Sequence, residues 1–420
     1  MRLPPYVIGS TEEVLREILR FAGPADVTLS YYFRGHPKLG SRERGVIAEA
    51  VYAILRNRAV YTNFSESGSG PAMRRMALLG LAEVVGAEAL GGLAEEESDW
   101  LARVMQIDRE TLPTTLRANL PQWLFDKLVE RDGEAATLEL AHSMNQPAPL
   151  DLRVNALKAG RDDVIAELAK APIQCEPTPY APLGIRVCKK PALQNMPLFK
   201  DGAIEVQDEG SQLLSQLVGA KRGEMVVDFC AGAGGKTLSL GAAMRNTGRL
   251  YAFDVSDKRL AKLKPRLARS GLSNVHPVVI AHENDAKVKR LAGKIDRVLV
   301  DAPCSGLGTL RRNPDIKWRQ TPQAVTELNE KQLSILNGAA RLVKPGGRLV
   351  YATCSILDEE NEAIVAQFLA SRDDFTLVPM KDVLAEQKIP LEMDDYLKLL
   401  PTKHQTDGFF AAVLERKGKA

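Results

Sequence analysis

Cysteine is scarce in this chain and poorly placed for crosslinking. The five thiols, Cys175, Cys188, Cys230, Cys304 and Cys354, are odd in number, widely scattered and never at Cys-x-x-Cys spacing. That argues against a disulfide framework and against a zinc site. The five histidines, His36, His142, His276, His282 and His404, form no ligand cluster, so no metal is expected. No apolar run reaches the roughly 18 residues that cross a bilayer. The opening Met-Arg-Leu-Pro-Pro lacks the basic-then-apolar pattern of a secretory signal. A cytoplasmic location without membrane contact is the expectation. Internal repeats and low-complexity tracts are absent. Charge of one sign does not dominate either, and a formal net charge of +3 is compatible with a nucleic-acid partner without establishing one.

What is present is a chain of 420 residues, 45% apolar and 26% charged, globular in balance and too long for a single core. Residues 1–140 read as a helical domain. Ser41 precedes Ile47, Val51, Ile54 and Leu55 at helical spacing, and similar runs follow at 76–85 and 124–130. Residues 1–80 hold eleven Lys and Arg against seven Asp and Glu, with Arg42, Arg44, Arg56 and Arg58 bordering the apolar stripe. An RNA-facing surface and an ordinary solvated face both fit that excess. Gln146-Pro147-Ala148-Pro149 marks a boundary. Residues 145–205 then read as a small α+β insert, strand-like over 150–157, helix-like over 161–171, and extended and proline-rich to 187. From 206 to 420 strands alternate with helices, at 225–229, 250–254, 275–280, 298–300, 348–352 and 408–414. Such alternation predicts an α/β fold with a doubly wound, mostly parallel sheet.

The first of these strands runs into Cys230-Ala231-Gly232-Ala233-Gly234-Gly235-Lys236. A glycine-rich turn from strand to helix lets a ligand approach the backbone and its free amides. Two nucleotide motifs fail on spacing. A P-loop needs glycine at 230, and a dinucleotide fingerprint counted from Gly232 needs glycine at 237, which is threonine. Asp228 followed by Gly232 and Gly234 instead resembles the S-adenosylmethionine loop of class I methyltransferases. Asp254, closing the second strand, is placed to accept the ribose hydroxyls, and Asp285 is the candidate partner of the adenine amino group.

The fourth and fifth strands end in Asp301-Ala302-Pro303-Cys304-Ser305 and Thr353-Cys354-Ser355. One cysteine near a strand end is usually core filler; two, on neighbouring strands at a ligand rim, point to chemistry. Cys230 is expected to pack under the cofactor loop, and Cys175 and Cys188 to be structural. These two cysteine motifs, with the Gly-Gly-Lys loop, resemble the RNA cytosine-5 methyltransferases, in particular the bacterial small-subunit ribosomal RNA branch with a NusB-like helical domain. The similarity covers nearly the whole chain, including Leu152-Arg153-Val154-Asn155, Val206-Gln207-Asp208-Glu209 and Asp407-Gly408-Phe409-Phe410. It implies a seven-stranded class I methyltransferase domain over 206–420. The family loop runs Cys-Ala-Ala-Pro-Gly-Gly-Lys. Here the proline is gone and a glycine is added, so a more mobile loop is expected.

The resemblance also implies roles. Cytosine carbon 5 is a poor nucleophile until a thiolate adds to carbon 6. Cys354 would be that thiolate and Cys304 would serve the release step. Asp301 would hydrogen-bond the base edge, and Lys236 would orient the base or the cofactor tail. Residues 230–236 with Asp254, Asp285 and Asp301 would hold S-adenosylmethionine. The partner would be RNA, ribosomal RNA first and transfer RNA as an alternative, with no obligate protein partner. Arg311, Arg312, Lys317 and Arg319 either hold the RNA backbone or form an ordinary basic loop, and His404 either lines the RNA cleft or is structural. Two rivals remain. A cytosine-5 DNA methyltransferase would use Cys304 as nucleophile, and a non-catalytic RNA-binding assembly factor would need neither cysteine.

Overall fold

The computed structural model describes residues 2–171, 173–188 and 191–418. The chain divides into two compact units, Met1–Pro147 with Thr309–Pro322, and Ala148–Gly308 with Gln323–Ala420.

The first unit is helical. Its helices include Pro5–Ile18, Ser41–Arg56, Ala72–Val85, Gln122–Asp132 and Glu134–Asn145. Ile47, Val51, Ile54 and Leu55 are all fully buried in its core, as their spacing predicts. Residues 309–322 join this core through Trp318, which packs on it and donates from Nε1 to Leu55 O at 2.8 Å.

In the second unit, β1 (Leu150–Val154), β2 (Cys175–Pro177), β3 (Gly184–Val187) and β4 (Ile204–Val206) form an antiparallel sheet in the order β2-β3-β1-β4. Helix Arg161–Lys170 packs on it through Val164 and Leu168. β1 is shorter than the reading of 150–157 because Asn155 turns its side chain onto Gly202 O and Ser270 O, each at 3.0 Å.

The larger sheet contains β5 (Met225–Asp228), β6 (Arg249–Asp254), β7 (Val275–Val279), β8 (Ile295–Asp301), β9 (Val343–Thr353), β10 (Phe375–Val378), β11 (Leu397–Leu399) and β12 (Phe409–Arg416). Its path is β10-β12-β9-β8-β5-β6-β7, with β11 also paired to β12. The five strands from β9 to β7 are parallel, while β12 runs antiparallel to β9, β10 and β11. The seven-strand path matches the expectation, and β11 adds an eighth short strand. Alternate residues enter different cores: Val226, Leu250, Leu299 and Val350 on one side, Val227, Phe253, Val300 and Tyr351 on the other. Burial of both faces is why these strands read as unbroken apolar runs. Because β5, β6, β8 and β9 are parallel, Asp228, Asp254, Asp301 and Thr353 all end on one rim.

Candidate active site

That rim opens on a cavity of about 720 Å³. Between β5 and helix Gly235–Ala243 the chain turns through Gly232 and Gly234, whose φ angles of 57° and 84° favour glycine. At Gly234 a side chain would also strike Leu263. The turn is held on all sides. Ala231 N donates to Phe253 O at 2.8 Å, Gly232 N to Asp254 Oδ2 at 2.8 Å and Gly234 N to Ala231 O at 2.8 Å. Arg266 donates to Ala233 O at 2.7 Å and Arg153 to Gly235 O at 2.7 Å. Glu205 on β4 accepts from Arg266 and Arg269, and Gln207 accepts from Arg153. The small sheet thus supplies part of the clamp on a turn that has no proline.

Asp228 is buried beneath the turn. Burial, with Asp301 and Asp254 nearby, pushes its carboxyl up to about 7 against the Thr237 hydroxyl and Lys236. Its Oδ2 accepts from Thr237 at 2.6 Å, whereas Oδ1 is buried beside the cavity without a partner. Asp254 lines the cavity and accepts from Ser256 N at 2.7 Å as well as from Gly232. An unsatisfied carboxylate oxygen, a half-occupied one and a glycine turn suit a polar nucleoside cofactor. Asp285 is different. It is partly buried, does not line the cavity and spends its carboxylate on Ala281 N and Lys287 N, both at 2.8 Å. These two amides hold it below the usual carboxylate range. The cavity wall there is Ile280, Ala281, His282 and Glu283, and Asp285, bonded to Ala281 N, stands next to that wall as the cap of its own turn.

Lys236 donates to Asp301 Oδ2 at 2.7 Å. Burial alone would lower the Lys236 ammonium, but Asp301 outweighs it and the net shift is upward. Beside this pair the two half-buried thiols meet, Cys304 Sγ and Cys354 Sγ lying 3.3 Å apart. Contact with Cys354 and then burial raise the Cys304 thiol well above its ordinary value. Burial does the same to Cys230, which lies in the cavity wall. Gly308 N donates to Cys354 O at 2.9 Å, and Gly408 N to Gly308 O at 2.8 Å. A side chain at Gly308 would stand 2.1 Å from Gly408 O, which accounts for glycine at both positions.

Other candidates lie elsewhere. Lys317 is wholly buried in the helical unit and donates to Asn145 Oδ1 at 2.7 Å and Arg56 O at 3.2 Å. Arg319 pairs with Asp315 at 3.2 Å, and Arg311 donates to Pro147 O at 3.4 Å. The basic run after Cys304 is therefore largely engaged inside that unit, and a phosphate-holding role for Lys317 is overturned by its burial. His404 Nδ1 accepts from Leu400 N at 3.0 Å and so caps its own loop. Sequence reading missed Arg153 and Arg266 as braces of the turn, and Glu360, described below. Arg153 lay inside a motif already singled out, but nothing in its spacing named its partner.

Strand order, one reversed strand and an acidic rim around a glycine turn define a class I methyltransferase that uses S-adenosylmethionine. The family model for 16S rRNA methyltransferase RsmB/F matches residues 215–415, and that for the RsmF/B-like, ferredoxin-like domain matches residues 120–194. The chain is 31% identical to the "Probable ribosomal RNA small subunit methyltransferase B" of Synechocystis sp., over 96% of this chain and 98% of the relative. To the protein of the same name in Bacillus subtilis it is 34% identical, over 71% of this chain and 66% of the relative. The crystal structure of a methyltransferase homolog protein from Pyrococcus horikoshii superposes with a TM-score of 0.63 at 29% identity, covering 74% of this chain and all of that one. The chain belongs to the 16S rRNA methyltransferase RsmB/F family.

Proposed function

We propose that this protein methylates carbon 5 of a cytosine in small-subunit ribosomal RNA, with Cys354 as the covalent nucleophile. The observation that carries the reading is the pair of thiols in contact beside the Lys236–Asp301 ion pair, at the mouth of the cofactor cavity. The target base leaves its stack to enter the pocket, and Asp301, oriented by Lys236, meets its edge. When bound, the sulfonium cofactor supplies a methyl electrophile, which carbon 5 takes once Cys354 has added to carbon 6. Loss of the carbon 5 proton then restores the double bond and expels the Cys354 thiolate, with Cys304 serving this step. Residues 230–236 and Asp254 hold the cofactor.

RNA containing 5-fluorocytidine tests the assignment, because fluorine at carbon 5 prevents release. Cys354→Ala should neither methylate nor be trapped. Cys304→Ala should accumulate an adduct on ordinary RNA, since addition proceeds and release does not. If Cys354→Ala stays active while Cys304→Ala is inert and forms no adduct, Cys304 is the nucleophile, the order expected of a cytosine-5 DNA methyltransferase.

A further inference from the structure

Under the two cysteines lies a carboxylate to which the mechanism above gives no task. Glu360 is wholly buried, and no cation among the described residues pairs with it. It accepts instead from neutral donors on three elements. Its Oε1 takes Ser305 N at 2.7 Å and Gln332 Nε2 at 3.0 Å. Its Oε2 takes the hydroxyls of Ser305, at 2.5 Å, and Ser355. Ser305 follows Cys304 and Ser355 follows Cys354, and the two serine oxygens stand 3.3 Å apart, as the two sulfurs do. Gln332, on helix Pro322–Ala340, also donates to Pro303 O at 3.0 Å, so the same group reaches the residue before Cys304. The backbone of Glu360 is fixed in turn by the Tyr351 hydroxyl on its carbonyl at 2.6 Å. An unpaired buried carboxylate is costly and persists only where several donors satisfy it. Here most of those donors belong to the two loops that carry the thiols.

We propose that Glu360 is a positioning residue that ties the Cys304 loop to the Cys354 loop and thereby holds the release thiol against the nucleophile. The inference rests on the two-cysteine reading above. Without the tie the two loops are joined near the thiols by Ala302 N on Ala352 O at the strand ends and by Gly308 N on Cys354 O. Cys304, between these two anchors and on neither, can drift while Cys354, bonded at its own carbonyl, stays in place. Addition should then survive and release should suffer.

Glu360→Gln in the full chain keeps the shape but sets an amide donor against groups that are themselves donors. On ordinary RNA its turnover should fall at least about tenfold with accumulation of a protein–RNA adduct, while trapping on 5-fluorocytidine RNA stays within about threefold of wild type. Calorimetry should show S-adenosylmethionine affinity unchanged within about twofold. Should that variant fail to fold, Ser305→Ala, which leaves the carboxylate in place, must show the same split. Wild-type release, or an equal fall in trapping, turnover and cofactor affinity, overturns the proposal. Absence of any adduct with the wild-type protein, or activity in Cys354→Ala, instead shows that the two-cysteine reading itself has failed, whatever Glu360 does.

Discussion

Asp254 does two jobs with one carboxylate. It receives the Gly232 and Ser256 amides and still borders the cavity. Asp254→Ala should therefore cost S-adenosylmethionine about 1–3 kcal/mol of binding, roughly five- to more than a hundred-fold, measured by calorimetry on folded protein. Unchanged affinity would remove it from the cofactor site. Asp285→Ala should by contrast leave that affinity nearly intact and disturb only its own turn. Both residues follow strands in the sequence and both are acidic. Each accepts from two backbone amides; what tells them apart is that Asp254 stands in the cavity wall and Asp285 does not.

The cofactor turn illustrates a compensation between elements. A family proline is replaced, yet the carbonyls of Ala233 and Gly235 are gripped by Arg266 and Arg153. Arg266→Ala removes the charge-assisted hydrogen bond to Ala233 O together with the ion pair to Glu205 and should weaken cofactor binding about tenfold, with hydrogen exchange of residues 231–236 rising in step. Normal affinity together with normal exchange would mean that the turn is rigid without its brace. The segment Thr309–Pro322 shows another element bound up with its surroundings. Burial, with Arg56 adding, pushes the Lys317 ammonium down to about 7 from the ordinary 10.5. The folded value lies below the unfolded one, so the unfolded chain binds the extra proton between the two. The penalty is then full below about pH 7 and fades as pH rises towards 10.5. Melting of wild type and Lys317→Met should show the variant gaining most at pH 6 and least at pH 9. A gap independent of pH would refute the burial of a titrating ammonium.

For the molecule as a whole the open matter is how RNA is held. Arg56 and Arg58, which bordered the apolar stripe in the sequence, are half-buried, and Arg58 stacks 4.8 Å over Trp318. Arg34, Lys38 and Arg42 remain exposed. Replacing these three by alanine should weaken binding of ribosomal RNA fragments and lower the logarithmic salt slope by somewhat under about three, leaving cofactor affinity intact. Equal slopes in filter binding across a salt series would show that this face serves something other than RNA. Removing residues 1–140 is a poorer test, since it would strip Trp318 and Lys317 of the helices that cover them.

Periodicity was enough to read the helix from Ser41, the central strands and the order of the acidic strand ends, because doubly buried strands and one-sided helices write their burial into neighbouring residues. Short edge strands such as Phe375–Val378 and Leu397–Leu399 went unread: three or four residues of mixed polarity carry no period. The two cysteine motifs were visible as strings fifty residues apart. Their contact at 3.3 Å, and the buried carboxylate beneath it, were settled only by the pairing of β8 with β9. The same holds for Arg153 reaching Gly235 across 82 positions and for Lys317 turning inward to Asn145. Local pattern records which face of an element is buried. It cannot record which distant donor will satisfy a buried acceptor, since that choice is made when the elements pack.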